Sequence, residues 1–183
     1  ALQGTAVANL RFTSPVFAFV PKGVASASVS AAQAAALGPR FGRSDLAAFD
    51  PSTATWYIRR SSDGGTFGGA PFAWGPGGCQ VVPGDYDGDG RCDLALFEPA
   101  TARWFIRSSQ SGQLLFDPPL AFGTGMVPVP EDYDGDGRCD IAVMDAAGNW
   151  FIRSSVTGGL LRGGPFKIGT TPGVPMPADY DGD

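Results

Sequence analysis

The chain has 183 residues, a net charge of −5 and no histidine. It therefore lacks the commonest general base, and its acidic balance is the opposite of a nucleic-acid footprint, so no nucleic-acid partner is expected. No apolar run approaches the roughly 18 residues that cross a bilayer, and a chain beginning at Ala1 without Met or a charged-then-apolar leader reads as processed or trimmed at its start. A secreted, extracellular protein is the expectation.

Ala1 to Ala36 stands apart from the rest of the chain. Val16 to Val20, the turn Pro21-Lys22-Gly23, and Val24 to Val29 predict a strand pair, and Ser30 to Leu37 a short Ala-rich helix that Gly38 ends. So apolar a pair has to be covered, either as a cap on the first repeat or as a strand donated to a neighbouring copy.

From Leu37 the chain repeats. The nonapeptide DYDGDGRCD occupies Asp85 to Asp93 and Asp132 to Asp140 and begins again at Asp179, at intervals of 47 residues, while Trp56, Trp104 and Trp150 follow at 48 and 46. Three units result, 37–84, 85–131 and 132–178, followed by the start of a further loop at 179–183. After each loop, Leu94 to Phe97 and Ile141 to Met144 are apolar on both faces, as suits a strand covered by neighbouring sheets. Turn residues then lead into Trp56-Tyr57-Ile58-Arg59, Trp104-Phe105-Ile106-Arg107 and Trp150-Phe151-Ile152-Arg153, each with Trp and Ile on one face. A third apolar stretch ends at Gly75, Gly123 or Gly169, and a fourth, with Val81-Val82 or Val127-Pro128-Val129, leads into the next loop. Four short strands in about 47 residues is the size of a propeller blade. The expected fold is all-β: about three tandem four-stranded, propeller-like blades forming an incomplete ring, with an N-terminal hairpin or strand extension.

The loops carry the chemistry. Asp85, Asp87, Asp89 and Asp93, and again Asp132, Asp134, Asp136 and Asp140, stand in the spacing of a hard-cation oxygen cage, with Gly90 or Gly137 at the sharp turn. Ca2+ is the expected ion. Eleven of the 18 acidic residues lie in the three loops, so three bound divalent ions would move the net charge from −5 to about +1. An EF-hand shares the first half of the pattern, but it needs a bidentate Glu where this chain has Leu96 and Val143, and helical flanks where this chain alternates as strands. A solvated Asp-Gly turn without metal is the plainer alternative. The last loop offers Asp179, Asp181 and Asp183, whereas the first unit has Leu37, Pro39 and Phe41 at ligand positions and keeps Asp45 alone, which predicts an empty loop there.

The pattern DxDxDGxxD, a short buried strand, a Trp-aromatic-Ile-Arg strand and an aromatic-x-x-Gly turn together resemble the FG-GAP/VCBS repeats, over about Leu37 to Asp183. The resemblance implies blades of a calcium-binding β-propeller, as in integrin α-subunit heads. It assigns the loop aspartates as ligands and adds the backbone carbonyls of Arg91 and Arg138, at the seventh position.

Other repeated residues have plainer readings. Arg59, Arg107 and Arg153 most simply pair with a loop carboxylate or stack on an aromatic ring, and the three Trp residues read as inter-blade core before sugar platforms. A Cys92 to Cys139 bridge is disfavoured by the spacing of packed sheets, which leaves a local Cys79 to Cys92 disulfide or three free thiols. The functional expectation is a non-enzymatic, calcium-stiffened module for adhesion or for assembly with other copies of itself. A carbohydrate-binding propeller recognising extracellular glycans, or an accessory domain of a secreted hydrolase, is the alternative.

Overall fold

A computed structural model of the chain describes residues 43–168 and 173–181; the expectations placed on residues 1–42, and on Asp183, lie outside them. The described chain is all-β. Its strands are β1 (Leu46–Asp50), β2 (Thr55–Arg59), β3 (Phe72–Ala73), β4 (Gln80–Val81), β5 (Leu94–Glu98), β6 (Arg103–Arg107), β7 (Leu120–Ala121), β8 (Val127–Pro128), β9 (Ile141–Met144), β10 (Asn149–Arg153) and β11 (Phe166–Lys167). They form three antiparallel sheets, β1-β2-β3, β4-β5-β6-β7 and β8-β9-β10-β11, each a meander.

The strand ahead of each Asp loop belongs to the sheet that follows the loop. Val81 pairs with Leu96, and an isolated bridge joins Gly84 to Asp93; Pro128 pairs with Val143, and Glu131 bridges to Asp140. Each loop is thus the connection between the first two strands of a sheet, not its leading edge. The first sheet has three strands among the described residues.

Alternation along the strands makes the sheets stack in one direction. In the first sheet, Phe49, Trp56 and Ile58 share a face, and they pack against Leu94, Leu96 and Phe105 of the second. The opposite face of the second sheet, with Ala95, Phe97, Trp104 and Ile106, packs in turn against Ile141, Val143 and Phe151 of the third. Leu96, Phe97, Trp104 and Val143 are each 0 % exposed. Burial of a side chain of this size is worth about 1.5–3 kcal/mol, so these two interfaces hold the array together.

Two repeated side chains fasten the strands within the first and second sheets. The indole N–H of Trp56 donates to the Trp74 carbonyl (3.1 Å) and that of Trp104 to the Phe122 carbonyl (3.0 Å), which explains the fixed register of Trp and the aromatic-x-x-Gly turn. Arg59 and Arg107 donate through Nε to the carbonyls of Gly64 and Gly112, at 3.2 and 2.9 Å. The expected pairing of these arginines with a loop carboxylate or an aromatic ring is therefore replaced by a turn-capping hydrogen bond.

The glycine of the aromatic-x-x-Gly turn is set by proximity to the next sheet. Gly123 has φ 93°, and a Cβ there would lie 2.5 Å from Val143 Cγ1; at Gly75, with φ 89°, it would lie 2.3 Å from Leu96 Cδ1. Gly123→Ala should therefore lower stability by about 2–4 kcal/mol, through left-handed strain plus overpacking. Gly125→Ala, with φ 72° but nothing within 4 Å, should cost only about 1 kcal/mol. Denaturant unfolding of the two variants measures the difference, and equal losses would contradict the sheet-to-sheet contact.

Candidate metal centres

Each loop begins by folding around its own first carboxylate. Asp85 Oδ1 accepts the amides of Gly88 (2.7 Å) and Asp89 (3.1 Å), and its Oδ2 accepts that of Gly90 (2.7 Å). Asp132 repeats this with Gly135, Asp136 and Gly137 at 2.8, 3.2 and 2.8 Å. The third and fifth positions continue the spiral: Asp87 accepts from Asp89, and Asp89 from Arg91 at 2.8 Å, as Asp136 does from Arg138 at 2.9 Å. Alternating Asp and Gly make this possible, because an Asp carboxylate bonds amides two residues on while Gly88 and Gly90 take φ of 76° and 88°.

That winding gathers the acids. Carboxylate oxygens of Asp85, Asp87 and Asp93 lie within 4.8 Å of one another in the first loop, and those of Asp132, Asp134 and Asp136 do so in the second. The two sets differ although the loops are identical in sequence: Asp89 stands outside the first and Asp140 outside the second. Asp89 Oδ2 is nevertheless buried without a hydrogen-bond partner. Among the described residues the only ion pair is Arg60 with Asp63, outside the loops. Such clusters of oxygen donors are of the type that could hold a hard divalent cation, and the orphaned Asp89 oxygen agrees with that fit.

The ninth position has a further task that the spacing did not reveal. Asp93 accepts the amide of Tyr86 through Oδ2 and that of Ser109 through Oδ1, both at 3.0 Å, tying the loop to the turn after β6. Asp140 makes the same pair with Tyr133 (3.1 Å) and Ser155 (3.0 Å). Asp45, whose own loop has no other acid at a ligand position, keeps the equivalent bond to the Ser61 amide at 2.7 Å. Its retention identifies this Asp as a pin of the fold.

The loop tyrosines are likewise structural. Tyr86, Tyr133 and Tyr180 each donate their hydroxyl to the carbonyl four residues earlier, Val82 (2.7 Å), Val129 (2.7 Å) and Met176 (2.9 Å). The signal was present as a threefold repeat of Tyr at the second loop position. Asp179 and Asp181 of the last loop are described, and both are exposed.

Successive loops touch. The Cys139 amide donates to the Asp85 carbonyl at 2.7 Å, and a Cβ at Gly84 would meet Cys139 Sγ at 2.6 Å. The Arg138 side chain lies over Gly88, with Nε 3.1 Å from a Cβ built there.

The Cys79 to Cys92 disulfide is not formed; all three cysteines are free. Cys79 is buried between the first two sheets among Trp56, Leu94 and Leu96, whereas Cys92 lies in an exposed loop position with its thiol directed at the Asp93 carbonyl.

Burial dominates the electrostatics. It pushes the carboxyls of Asp93 and Asp140 up to about 6, against the lowering effect of the amides they accept, and neighbouring loop acids add to the rise. Glu131, just before the second loop, is pushed up to about 7 by burial and by the charges of Asp132 and Asp179. Asp136 is raised for the same reasons.

Comparisons with family models, with characterised proteins and with solved structures return no match.

The raised carboxyls fix a sign. An unfolded Asp titrates near 3.8, so the folded, cation-free chain binds these protons more tightly than the unfolded one, and stability is lost as pH rises through about 6. In excess chelator the chain should melt higher at about pH 5 than at about pH 8, each pK unit being worth about 1.4 kcal/mol per group. Saturating calcium should reverse or flatten that trend, and thermal melts across the range with and without the ion measure both.

Proposed function

We propose that the chain is a non-enzymatic repeat module of FG-GAP/VCBS type, stiffened by calcium and used in adhesion or assembly outside the cell. The observation that carries the reading is the pair of loops in which three carboxylates converge while the only ion pair among the described residues lies elsewhere. Like charges held so close repel unless a cation joins them, and metal bound only by the folded chain adds its binding free energy to folding. Because each loop also binds the turn after β6 or β10, and the second loop bonds the first, an ion there would brace the sheet array.

Assembly follows from the one-way stacking. Leu46 and Tyr57, 70 % and 47 % exposed, occupy on the first sheet the positions that Leu94 and Phe105 occupy on the second and Ile141 and Phe151 on the third. Those counterparts are buried or half-buried against the Trp-bearing face of the preceding sheet. The third sheet carries the same Trp-bearing face, with Ala142, Met144, Trp150 and Ile152. A second copy of the chain is the partner that fits the exposed face of the first sheet, in a head-to-tail contact over the half-buried Trp150 of the third, whose Ala142, Met144 and Ile152 are already buried within the chain. The glycan-binding alternative is weakened at its most obvious residues, since Trp56 and Trp104 are buried between sheets.

Calorimetric titration of calcium tests the loop assignment. Asp89→Asn and Asp136→Asn should each remove one ion, whereas Asp45→Asn should leave the count unchanged and cost about 1 kcal/mol through loss of the Ser61 bond. An ion lost with Asp45→Asn, or none lost with the other two, contradicts it. Sedimentation tests the partner: Tyr57→Glu should abolish self-association, and a chain that stays monomeric at high concentration rules the contact out.

A further inference from the structure

The first sheet lacks a strand that the other two possess. β4 and β8, each just ahead of its loop, pair with β5 and β9, but the outer edge of β1 has no strand partner among the described residues. In sequence that place falls on Ala32-Gln33-Ala34-Ala35-Ala36, and alanine is a poor strand former. Leu46 of β1 is 70 % exposed, whereas its counterparts Leu94 and Ile141 are 6 % and 1 % exposed. A groove of about 470 Å³ runs along Asp45 to Ala48 and reaches across to Tyr57.

The far end of the chain carries the complementary half. Val174-Pro175-Met176-Pro177-Ala178 stands in the register of Val127-Pro128-Val129-Pro130-Glu131 and of Gln80-Val81-Val82-Pro83-Gly84. It is already shaped as a leading strand, since the Tyr180 hydroxyl donates to the Met176 carbonyl as those of Tyr86 and Tyr133 do to Val82 and Val129. Yet it joins no sheet among the described residues. Met176 and Tyr180 are 63 % and 77 % exposed, where Val82, Val129 and Tyr86 are buried.

Donors and acceptors of the two halves match. In the second and third sheets the amides of Val82 and Val129 donate to the carbonyls of Ala95 and Ala142, and the amides of Asp93 and Asp140 to the carbonyls of Gly84 and Glu131. The same places are held by Met176 with Ala47 and by Asp45 with Ala178. Pro175, which has no amide to donate, corresponds to Pro128, which sits opposite Val143. Asp93 and Asp140 accept a serine amide at Oδ1 and a loop tyrosine amide at Oδ2, whereas Asp45, among the described residues, accepts only the Ser61 amide at Oδ1. The tyrosine missing from that arrangement has its counterpart in Tyr180.

We propose that Val174 to Tyr180 of one copy add to β1 of the next copy as its missing edge strand, antiparallel, with Pro175 opposite Ala48 and the Tyr180 amide on Asp45. The donor is a second copy because the segment leaves the third sheet, which lies at the opposite end of the stack from β1. The inference rests on the head-to-tail contact proposed above and supplies its main-chain part. It lets the first sheet of one copy follow the third sheet of another as the third follows the second.

Full chains carrying Ala48→Cys and Pro175→Cys are prepared separately, mixed and oxidised, and the cross-linked peptides are mapped by mass spectrometry. Opposed residues of a non-hydrogen-bonded antiparallel pair have Cα atoms about 4.5 Å apart, within disulfide reach. The mixture should yield a dimer linked from position 48 of one chain to position 175 of the other, and Met176→Asp should reduce the self-associated chain to monomer. If the parent self-associates and Tyr57→Glu abolishes this, but no such link forms and Met176→Asp associates as the parent does, the copies meet by their faces and the strand addition alone is overturned. A chain with both cysteines that closes the link on itself as a monomer overturns it as well. A parent that stays monomeric at high concentration overturns it together with the head-to-tail contact.

Discussion

Convergent negative charge sits at the joints of this molecule. Each complete loop connects the first two strands of a sheet, its ninth residue grips the turn between the second and third strands, and the second loop bonds directly to the first through Cys139 and Asp85. The same few residues that hold the sheet together are the ones that repel. Backbone amides offset part of that repulsion, three of them on Asp85 alone, but an amide carries a partial charge and cannot neutralise a cluster of carboxylates. Whatever balances the loops therefore governs how firmly the sheets are joined.

Around these joints the packing is simple. One face of every sheet carries Trp and Ile, the other carries aliphatic residues and an aromatic, and the two kinds of face meet twice, between the first and second sheets and between the second and third. Close approach at Gly75 and Gly123 sets the spacing between sheets. Repeat proteins owe much of their stability to such nearest-neighbour interfaces, so a defect in one loop is expected to act on the sheets beside it more than on distant ones.

Much of this was legible in the sequence, and for identifiable reasons. Two-residue alternation in Trp104-Phe105-Ile106-Arg107 marks a strand with one apolar face, and doubly apolar runs such as Ile141 to Met144 mark strands covered on both sides. The identical nonapeptides marked the loops. What escaped were matters of partnership. Gln80 and Val81 precede the loop in sequence yet pair across it, which no periodicity discloses. Asp45 looked like the remnant of a lost site, and only its bond to Ser61 shows it to be a fold residue shared by all three sheets. Arg59 and Arg107 cap turn carbonyls, because a short reach to Gly64 or Gly112 within the same hairpin wins over a distant carboxylate.

The central claim is that cations balance the loops and thereby hold the sheet array together. Thermal unfolding of the full chain at neutral pH, in saturating calcium and again in excess chelator, tests it most directly. The account predicts a large, reversible fall in the melting temperature on chelation, restored by calcium and not by added monovalent salt at the same ionic strength. An unchanged melt, or one rescued equally well by salt, would contradict it.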